Sequence, residues 1–152
     1  MRVLLDTNIA LRLVNASDPD HPEMTVAVRN LYRGGHELFI VPQCIYEMWA
    51  VMTRPAGATN GFGLLPADVA LEIDRFLARI PLLPDSPNIF PRWLTLVTQH
   101  QVSGKPTHDA RLAAALQVHG LDAILTGNVA DFKRSGIQVI NPADLSEGGP
   151  TL

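Results

Sequence analysis

The sequence has few of the features that would place it in a specialised class of protein. Its 152 residues contain one cysteine, Cys44, which excludes an internal disulfide framework and fits a reducing compartment. No apolar run is long enough to span a membrane, and Met1 does not open a signal-peptide pattern. We therefore expect a cytoplasmic protein with no membrane partner.

Concentrated positive charge is also absent. The formal net charge is −3, and the 12 lysines and arginines are scattered without a run, so the sequence predicts no broad electrostatic surface for nucleic acid. Any nucleic-acid chemistry must be local to one site. Apolar residues make up 47% of the chain and charged residues 18%, which excludes a disordered protein.

Short apolar runs alternate with helical patterns along the chain. Runs at 3–5, 38–41, 123–125 and 137–140 predict strands buried in a parallel sheet. Helical patterns begin near residues 22, 42, 66, 92 and 107. We expect one α/β domain over residues 1–142, folded as a three-layer α/β/α sandwich. Its mostly parallel sheet should have four to five strands, and residues 82–83 are the candidate for the fifth strand. Residues 143–152 are predicted to form a flexible tail, and the glycine-rich stretch 55–63 a surface connection.

Three acidic side chains, Asp6, Glu47 and Asp109, interrupt apolar segments, where burying a charge is costly. Asp6 directly follows the first strand, at the edge where ligands collect in open parallel sheets; a cap for a helix starting at Thr7 is an equally good interpretation. Asp109 lies in the first turn of a helix with its N-cap predicted at Thr107, and the helix dipole favours a carboxylate there. Apolar residues follow Asp109 at i+3, i+4 and i+7, so it points inward, which favours a functional role.

Other polar residues also lie beside apolar helix faces or directly after predicted strands. Glu47 lies in the middle of a helix at the edge of its apolar stripe, where a solvated glutamate is a real competitor to a functional one. Thr126, Asn128 and Asp131 follow the third strand. Asn128 and Asp131 are one helical turn apart and could share a face, although a capping arrangement explains both.

Carboxylates gathered at one edge of a sheet would raise each other's pKa unless a cation neutralised them. Oxygen ligands favour Mg²⁺ or Mn²⁺ over Zn²⁺. His108 is the only histidine near this group, and we interpret it as a helix-start residue. The sequence therefore predicts a magnesium or manganese site.

Four motifs in order resemble the PIN domain, particularly the VapC-type toxins of bacterial toxin–antitoxin pairs. They are DTN at 6–8, the helix that carries Glu47, HDARLAAA at 108–115, and TGNVADF at 126–132, and the resemblance runs from about residue 2 to 142. It implies a PIN-like α/β/α fold, a Mg²⁺- or Mn²⁺-dependent ribonuclease, an antitoxin partner and a homodimer.

The resemblance also implies roles for individual residues. Asp6, Glu47 and Asp109 correspond to the acidic metal-binding residues of the family, Thr7 and Asn8 to its strand-end polar pair, and Thr126 to a polar residue that supports the site. Many members carry an Asp where this chain has Asn128, and the nearest acid here is Asp131. Whether Asp131 completes a second metal site stays open at this point.

The chemistry that fits these residues is metal-assisted hydrolysis of a phosphodiester bond. Glu47 would hold the water shell of the metal or act as general base. Arg12, one helical turn after Asn8, and Lys105, just before the Asp109 helix, are candidate phosphate contacts, although solvated surface charge is the better explanation for each taken singly.

Two other functions fit parts of the pattern. A phosphatase with Asp6 as nucleophile would require a second Asp at position 8, and Asn8 cannot transfer the proton. A PIN-like module that binds RNA or a protein without cutting is favoured slightly by the negative net charge and by Asn128. Among the aromatic residues, Phe62 and Phe90 could serve an interface, whereas Trp49 and Trp93 are predicted in the core.

Overall fold

The structure is a computed structural model that describes residues 1–132 and 136–145. It contains four strands and seven α-helices within those ranges. The elements, in chain order, are β1 (Arg2–Leu5), α1 (Thr7–Val14), α2 (His21–Arg33), β2 (Glu37–Phe39), α3 (Pro42–Thr53), α4 (Pro66–Leu77), α5 (Ile89–Gln99), α6 (Pro106–Val118), β3 (Ala123–Leu125), α7 (Val129–Phe132) and β4 (Gln138–Ile140), followed by a 3₁₀ helix, Pro142–Leu145.

The four strands form one parallel sheet in the order β2-β1-β3-β4. In β1, Leu4 pairs with Phe39 on one side and Ile124 on the other. Apart from the half-buried Arg2, the central strands β1 and β3 are apolar and buried, as expected for a sheet covered by helices on both faces. The predicted three-layer α/β/α fold is confirmed. Residues 82–83 add only an isolated bridge between Ile40 and Leu82.

Prolines open most of the predicted helices. Pro42, Pro66 and Pro106 each take the first helical position, where the missing N–H costs nothing because that group would have no partner inside the helix. The N-cap prediction at Thr107 is wrong. Since Pro106 starts the helix, Thr107 falls inside its first turn, and its hydroxyl donates to the Gly104 carbonyl at 2.7 Å.

The two tryptophans differ in burial. Helix α3 buries Cys44, Met48 and Met52 on one stripe, and Trp49, one residue round the helix, is 39% exposed. Its predicted core position is therefore wrong. Trp93 packs partly against the core as predicted, and its indole N–H donates to the Thr107 carbonyl at 2.8 Å.

The packed part of the chain extends past the predicted domain boundary at 142. Leu145 is buried, and its carbonyl accepts a hydrogen bond from the Asn30 side chain at 2.8 Å. Residues 146–152 of the predicted tail lie outside the described residues, so the flexibility of that tail stays a prediction. Within the described ranges, no helix combines the length and apolar character needed to cross a membrane.

Candidate active site

Asp6 is fixed by the sheet and by the helix that follows it. Its backbone N–H donates to the Leu125 carbonyl at 3.1 Å, so it still belongs to the ladder between β1 and β3. Its carboxylate is buried and caps α1 by accepting from the Thr7 N–H at 2.7 Å. It also accepts from the Asn8 amide and, at 2.6 Å, from the Thr126 hydroxyl. A carboxylate can accept about four hydrogen bonds, so Asp6 keeps capacity for one further ligand.

Without such a ligand, the charged form of the Asp6 carboxylate is disfavoured. Burial raises the pKa of Asp6, and repulsion from Glu47 adds to that effect, although the hydrogen bonds from Thr126, Thr7 and Asn8 oppose it. The hydrogen bonds hold the carboxylate in place but do not replace the solvation that burial removes.

Asn8 and Thr126 connect the two central strand ends. The Thr126 hydroxyl, which donates to Asp6, accepts from the Asn8 amide at 3.2 Å and from the Asn128 N–H at 2.9 Å. The Asn8 side-chain oxygen accepts from the Gly127 N–H at 3.3 Å. The segment after β3 is therefore tied to the segment after β1.

Glu47 joins this group from α3. One of its carboxylate oxygens accepts from the Thr7 hydroxyl, and the other accepts from the Gln43 amide at 2.9 Å. Both oxygens of the half-buried side chain are thus held, which distinguishes Glu47 from a freely solvated glutamate.

Gln43 belongs to this group of contacts, and the sequence patterns did not single it out. It is buried, and its amide also donates to the His108 carbonyl at 3.0 Å, while its oxygen accepts from Arg111 at 3.2 Å. Arg111 in turn pairs with Asp85 at 2.9 Å. The sequence spacing could have indicated this contact, because Gln43 lies four residues before Glu47 and side chains at that spacing share a helix face.

Asp109 lies in the first turn of α6 and is half-buried. Burial raises its pKa to about 6, with further contributions from the charges of Asp131, Asp6 and Glu47, while Lys105 opposes the shift. No described residue donates a hydrogen bond to its carboxylate. Four carboxylates therefore act on one region, and the one at Asp109 has no hydrogen-bond donor among the described residues, only the charge of Lys105 opposing the other three.

Asn128 and Asp131 lie at the start of the short helix α7. The Asn128 carbonyl accepts from the Asp131 N–H at 3.1 Å, and both side chains are exposed. Asp131 is the strongest of the charges that raise the pKa of Asp109, so the structure brings it close enough to act on the site electrostatically.

The two candidate phosphate contacts differ. Arg12 pairs with Asp20 at 3.1 Å and also lies next to Gly127, where an added Cβ would meet its guanidinium at 3.4 Å. Lys105 is exposed and acts on Asp109. His108 is exposed and contributes its backbone carbonyl to Gln43.

Within the described ranges, no three histidine, cysteine or acidic side chains are close enough to hold a metal ion by themselves. The donors at this edge are nonetheless all oxygen atoms. Mg²⁺ keeps several water ligands and needs only one or two carboxylates. Asp6, with one free acceptor position, and Asp109, with no hydrogen-bond donor, fit that requirement.

Cys44 lies beside the site but does not take part in it. It is buried, its thiol contacts the Leu5 carbonyl at 3.6 Å, and burial raises its pKa to about 12. A thiol with so high a pKa is not a nucleophile at neutral pH.

Known proteins are similar to this chain over nearly its whole length. The PIN domain family matches residues 3–136. The chain is 25% identical over 144 residues to the protein named ribonuclease VapC24 of Mycobacterium tuberculosis strain H37Rv, covering 95% of this chain and 98% of that protein.

Solved structures show the same fold. VapBC2 from Rickettsia felis, bound to a promoter DNA fragment, superposes with a TM-score of 0.71 at 17% identity, covering 93% of this chain and 98% of that one. VapC20 from Mycobacterium tuberculosis, described as a toxin that cleaves the sarcin–ricin loop, superposes with a TM-score of 0.60 at 16% identity. The superposition covers 89% of this chain and 95% of that one. With a family match over nearly its whole length and a fold shared with these structures, the chain belongs to the PIN domain family.

Proposed function

We propose that this protein is a metal-dependent ribonuclease, the toxin of a toxin–antitoxin pair. The observation that carries the proposal is the convergence of Asp6, Glu47 and Asp131 on Asp109, where burial and the charges of these three carboxylates raise the pKa of Asp109. The family match and the ribonuclease name of the VapC24 relative support the same reaction.

The cation that fits this site is Mg²⁺ or Mn²⁺, since every available donor is an oxygen atom. Asp6 and Asp109 would hold it directly, and Glu47 would hold its water shell. When bound, the ion supplies an activated water and stabilises charge that develops on the phosphate. Asp131 is exposed and acts through its charge, so it is a candidate for a second ion.

The chain's own residues would position the RNA and move the proton. Glu47 is held by Thr7 and Gln43, so its carboxylate is oriented to accept a proton from the attacking water. Arg12 next to Gly127 and Lys105 before α6 would contact the phosphates that flank the cleaved bond. Because the net charge is −3, we expect such contacts to be few.

The test is cleavage of single-stranded RNA by purified protein with Mg²⁺ or Mn²⁺. We expect cleavage in the wild type, loss on chelation with EDTA, and at least a roughly 100-fold loss in Asp6→Asn. Asp68→Asn, an exposed acid on α4, is the matched control. Equal behaviour of Asp6→Asn and wild type, with no metal-dependent cleavage in either, would favour a binding module. A phosphoryl group trapped on Asp6 would favour the phosphatase.

We propose an antitoxin as the protein partner, as the described VapBC complexes suggest for their own chains. A groove of about 720 Å³ between α2 and α4 has Val28, Phe76 and Ile80 in its apolar lining. Its four arginines are Arg29, Arg33, Arg75 and Arg79; Arg75 pairs with Glu72, and Arg29 also has an interaction partner. An acidic amphipathic segment of the antitoxin has the charge to match this groove.

Co-expression with the product of a short adjacent reading frame tests this partner. Combined Arg33→Glu and Arg79→Glu substitutions should abolish co-purification, and Arg92→Glu on α5 should not. If the double variant retains the partner fully, the groove is not its docking site.

We also propose a homodimer in the cytosol. The family resemblance implies the dimer, and the exposed Tyr46 and Trp49 on α3 provide apolar surface for it. The reduced Cys44 fits a cytosolic location. Light scattering after size-exclusion chromatography measures the oligomeric state directly, and a monomer at all concentrations would contradict the dimer.

A further inference from the structure

A second pocket opens next to the carboxylates, between the end of α1 and the connection after α3. Its volume is about 410 Å³, within the range of small-molecule sites. The residues that give it chemical character are Asn8, Arg12, Asn15, Asp18, Asn60 and Phe62.

The outer wall of this pocket is a defined structure rather than a loose surface connection. The backbone N–H groups of Phe62 and Gly63 donate to the carbonyls of Val51 and Arg54 at 3.2 and 2.8 Å. Gly61 packs so closely that an added Cβ would lie 2.2 Å from the Pro55 carbonyl oxygen. The segment is thus folded back onto the end of α3.

The polar groups of the pocket match the edge of a nucleobase. Asn60 has a positive φ of 60° and an exposed side chain without a hydrogen-bond partner among the described residues. The Asn15 side-chain oxygen accepts from the Ser17 N–H at 3.2 Å, which leaves its amide protons available. Asparagine amides donate and accept together, as base edges do, and pair with them in known complexes.

Phe62 adds an apolar surface to these amides. Its side chain is half-buried and packs against the core, so its position is fixed. Aromatic rings held in this way stack with unpaired bases.

The pocket lining has no excess of positive charge that would hold a phosphate inside it, as distinct from a phosphate that Arg12 touches on its Gly127 side. The one arginine in the lining, Arg12, is paired with Asp20 at 3.1 Å, and Asp18 adds a negative charge. A phosphate would require an excess of positive charge, whereas a neutral base does not.

The pocket is joined to the carboxylate site through two shared residues. Asn8 lines the pocket and donates to Asp6. Arg12 lines it and lies next to Gly127, beyond the end of β3. We propose that this pocket binds the unpaired base of a nucleotide next to the cleaved phosphate, and that Asn60 and Phe62 set the base preference there. The proposal rests on the proposed ribonuclease function.

Two variants test it with little damage to the fold. Asn60→Gly removes the amide while keeping a backbone conformation that glycine adopts freely, and Phe62→Leu removes the ring but keeps an apolar side chain. Gln101→Gly, at the other described non-glycine residue with positive φ, is the matched control. Each protein is incubated with a randomised single-stranded RNA pool, and the sequences at the cut ends are read.

We expect both variants to lose the base preference at one position beside the cut. On RNA of the preferred sequence they should show a roughly 10-fold lower kcat/KM, mainly through KM. Gln101→Gly should match the wild type. Unchanged preference and unchanged KM in both variants, with an active wild type, would overturn the pocket while leaving the ribonuclease function standing.

A binding measurement separates the two proposals if the wild type does not cut. In the Asp6→Asn background, the affinity for short RNAs selected from the same pool is measured by fluorescence anisotropy. If the protein binds RNA base-selectively and Asn60→Gly removes that selectivity, the proposed base pocket stands although the ribonuclease function does not. Binding that is absent, or indifferent to Asn60→Gly, would refute the pocket.

Discussion

The Thr7 hydroxyl donates a hydrogen bond to the Glu47 carboxylate, and this contact joins α1, which follows β1, to α3, which follows β2. The Gln43 amide holds the other Glu47 oxygen. A glutamate that looked solvated from its place in the sequence is thus held on both oxygens from two elements.

Gln43→Leu should therefore impair activity without unfolding the protein. Glu47 loses one of its two donors, so we expect a 10–100-fold fall in activity, which is typical when a residue supporting a metal site is removed, and a higher Mg²⁺ concentration for half-maximal rate. Asp85→Asn, at the exposed end of the same chain of contacts, should change activity less than about twofold. Steady-state assays over a Mg²⁺ titration measure both, and equal effects of the two substitutions would contradict a specific role for Gln43.

Asp109→Asn should stabilise the metal-free protein at neutral pH. Burial raises the pKa of Asp109 to about 6, so the folded state binds a proton between about pH 6 and 4 that the unfolded chain does not bind. The stability from this group is present at low pH and is lost as the pH rises through about 6.

With allowance for solvent screening, we expect the variant to be more stable by about 1 kcal/mol at pH 7.5, or about 2–4 °C in Tm. The difference should shrink towards pH 4. Thermal melts in EDTA across this range measure it, and a variant less stable than wild type at pH 7.5 would contradict the account.

Added Mg²⁺ should raise the Tm of the wild type, because an ion that binds only the folded state stabilises it. Asp6→Asn and Asp109→Asn should each lose most of that increase, since each removes one proposed ligand. Glu37→Gln, on an exposed residue of β2, should keep it. The same Mg²⁺ response in all four proteins would show that the ion binds elsewhere.

Asp131→Asn distinguishes a charge effect from direct ligation. Asp131 raises the pKa of Asp109, so its removal should lower that pKa and move the acidic limb of the kcat/KM profile to lower pH. If Asp131 acts through charge alone, the maximal rate should stay within about threefold. A loss near that of Asp6→Asn would instead assign it to a tightly bound second ion.

Gly61→Ala should disturb the segment after α3 selectively. Its Cβ would lie 2.2 Å from the Pro55 carbonyl oxygen, so the backbone has to move. We expect a loss of stability of about 1–3 kcal/mol and altered RNA base preference. Gly57→Ala, where nothing lies within 4 Å of the added carbon, is the control, and equal melting temperatures would show that the segment is not held as described.

Much of this architecture could be predicted because it depends on local patterns. The apolar run at 123–125 became β3 with those bounds, and the prolines at 42, 66 and 106 open helices. Asp6 and Thr126 were placed at strand ends from the sequence, and parallel pairing of β1 with β3 brings them into contact.

What the sequence did not predict depends on packing between distant segments. The contact of Gln43 with Arg111 and with the His108 carbonyl requires the relative position of α3 and α6. The exposure of Trp49 depends on how far α4 covers α3. The pocket next to Asn60 forms only because Phe62 folds back on Val51, a contact that composition does not indicate.

The backbone of Asp6 is hydrogen-bonded within the β1–β3 ladder, whereas the segment that carries Asn60 is exposed and folds back onto the end of α3. In the proposed assignment, the carboxylates of the site and the base-contacting residues Asn60 and Phe62 therefore lie on different segments, joined by Asn8 and Arg12. If the protein is the ribonuclease proposed above, substitutions at Asn60 and Phe62 would change its RNA preference while Asp6 keeps its hydrogen bonds, and redesign of that preference would begin at these two positions and leave Gly61 in place.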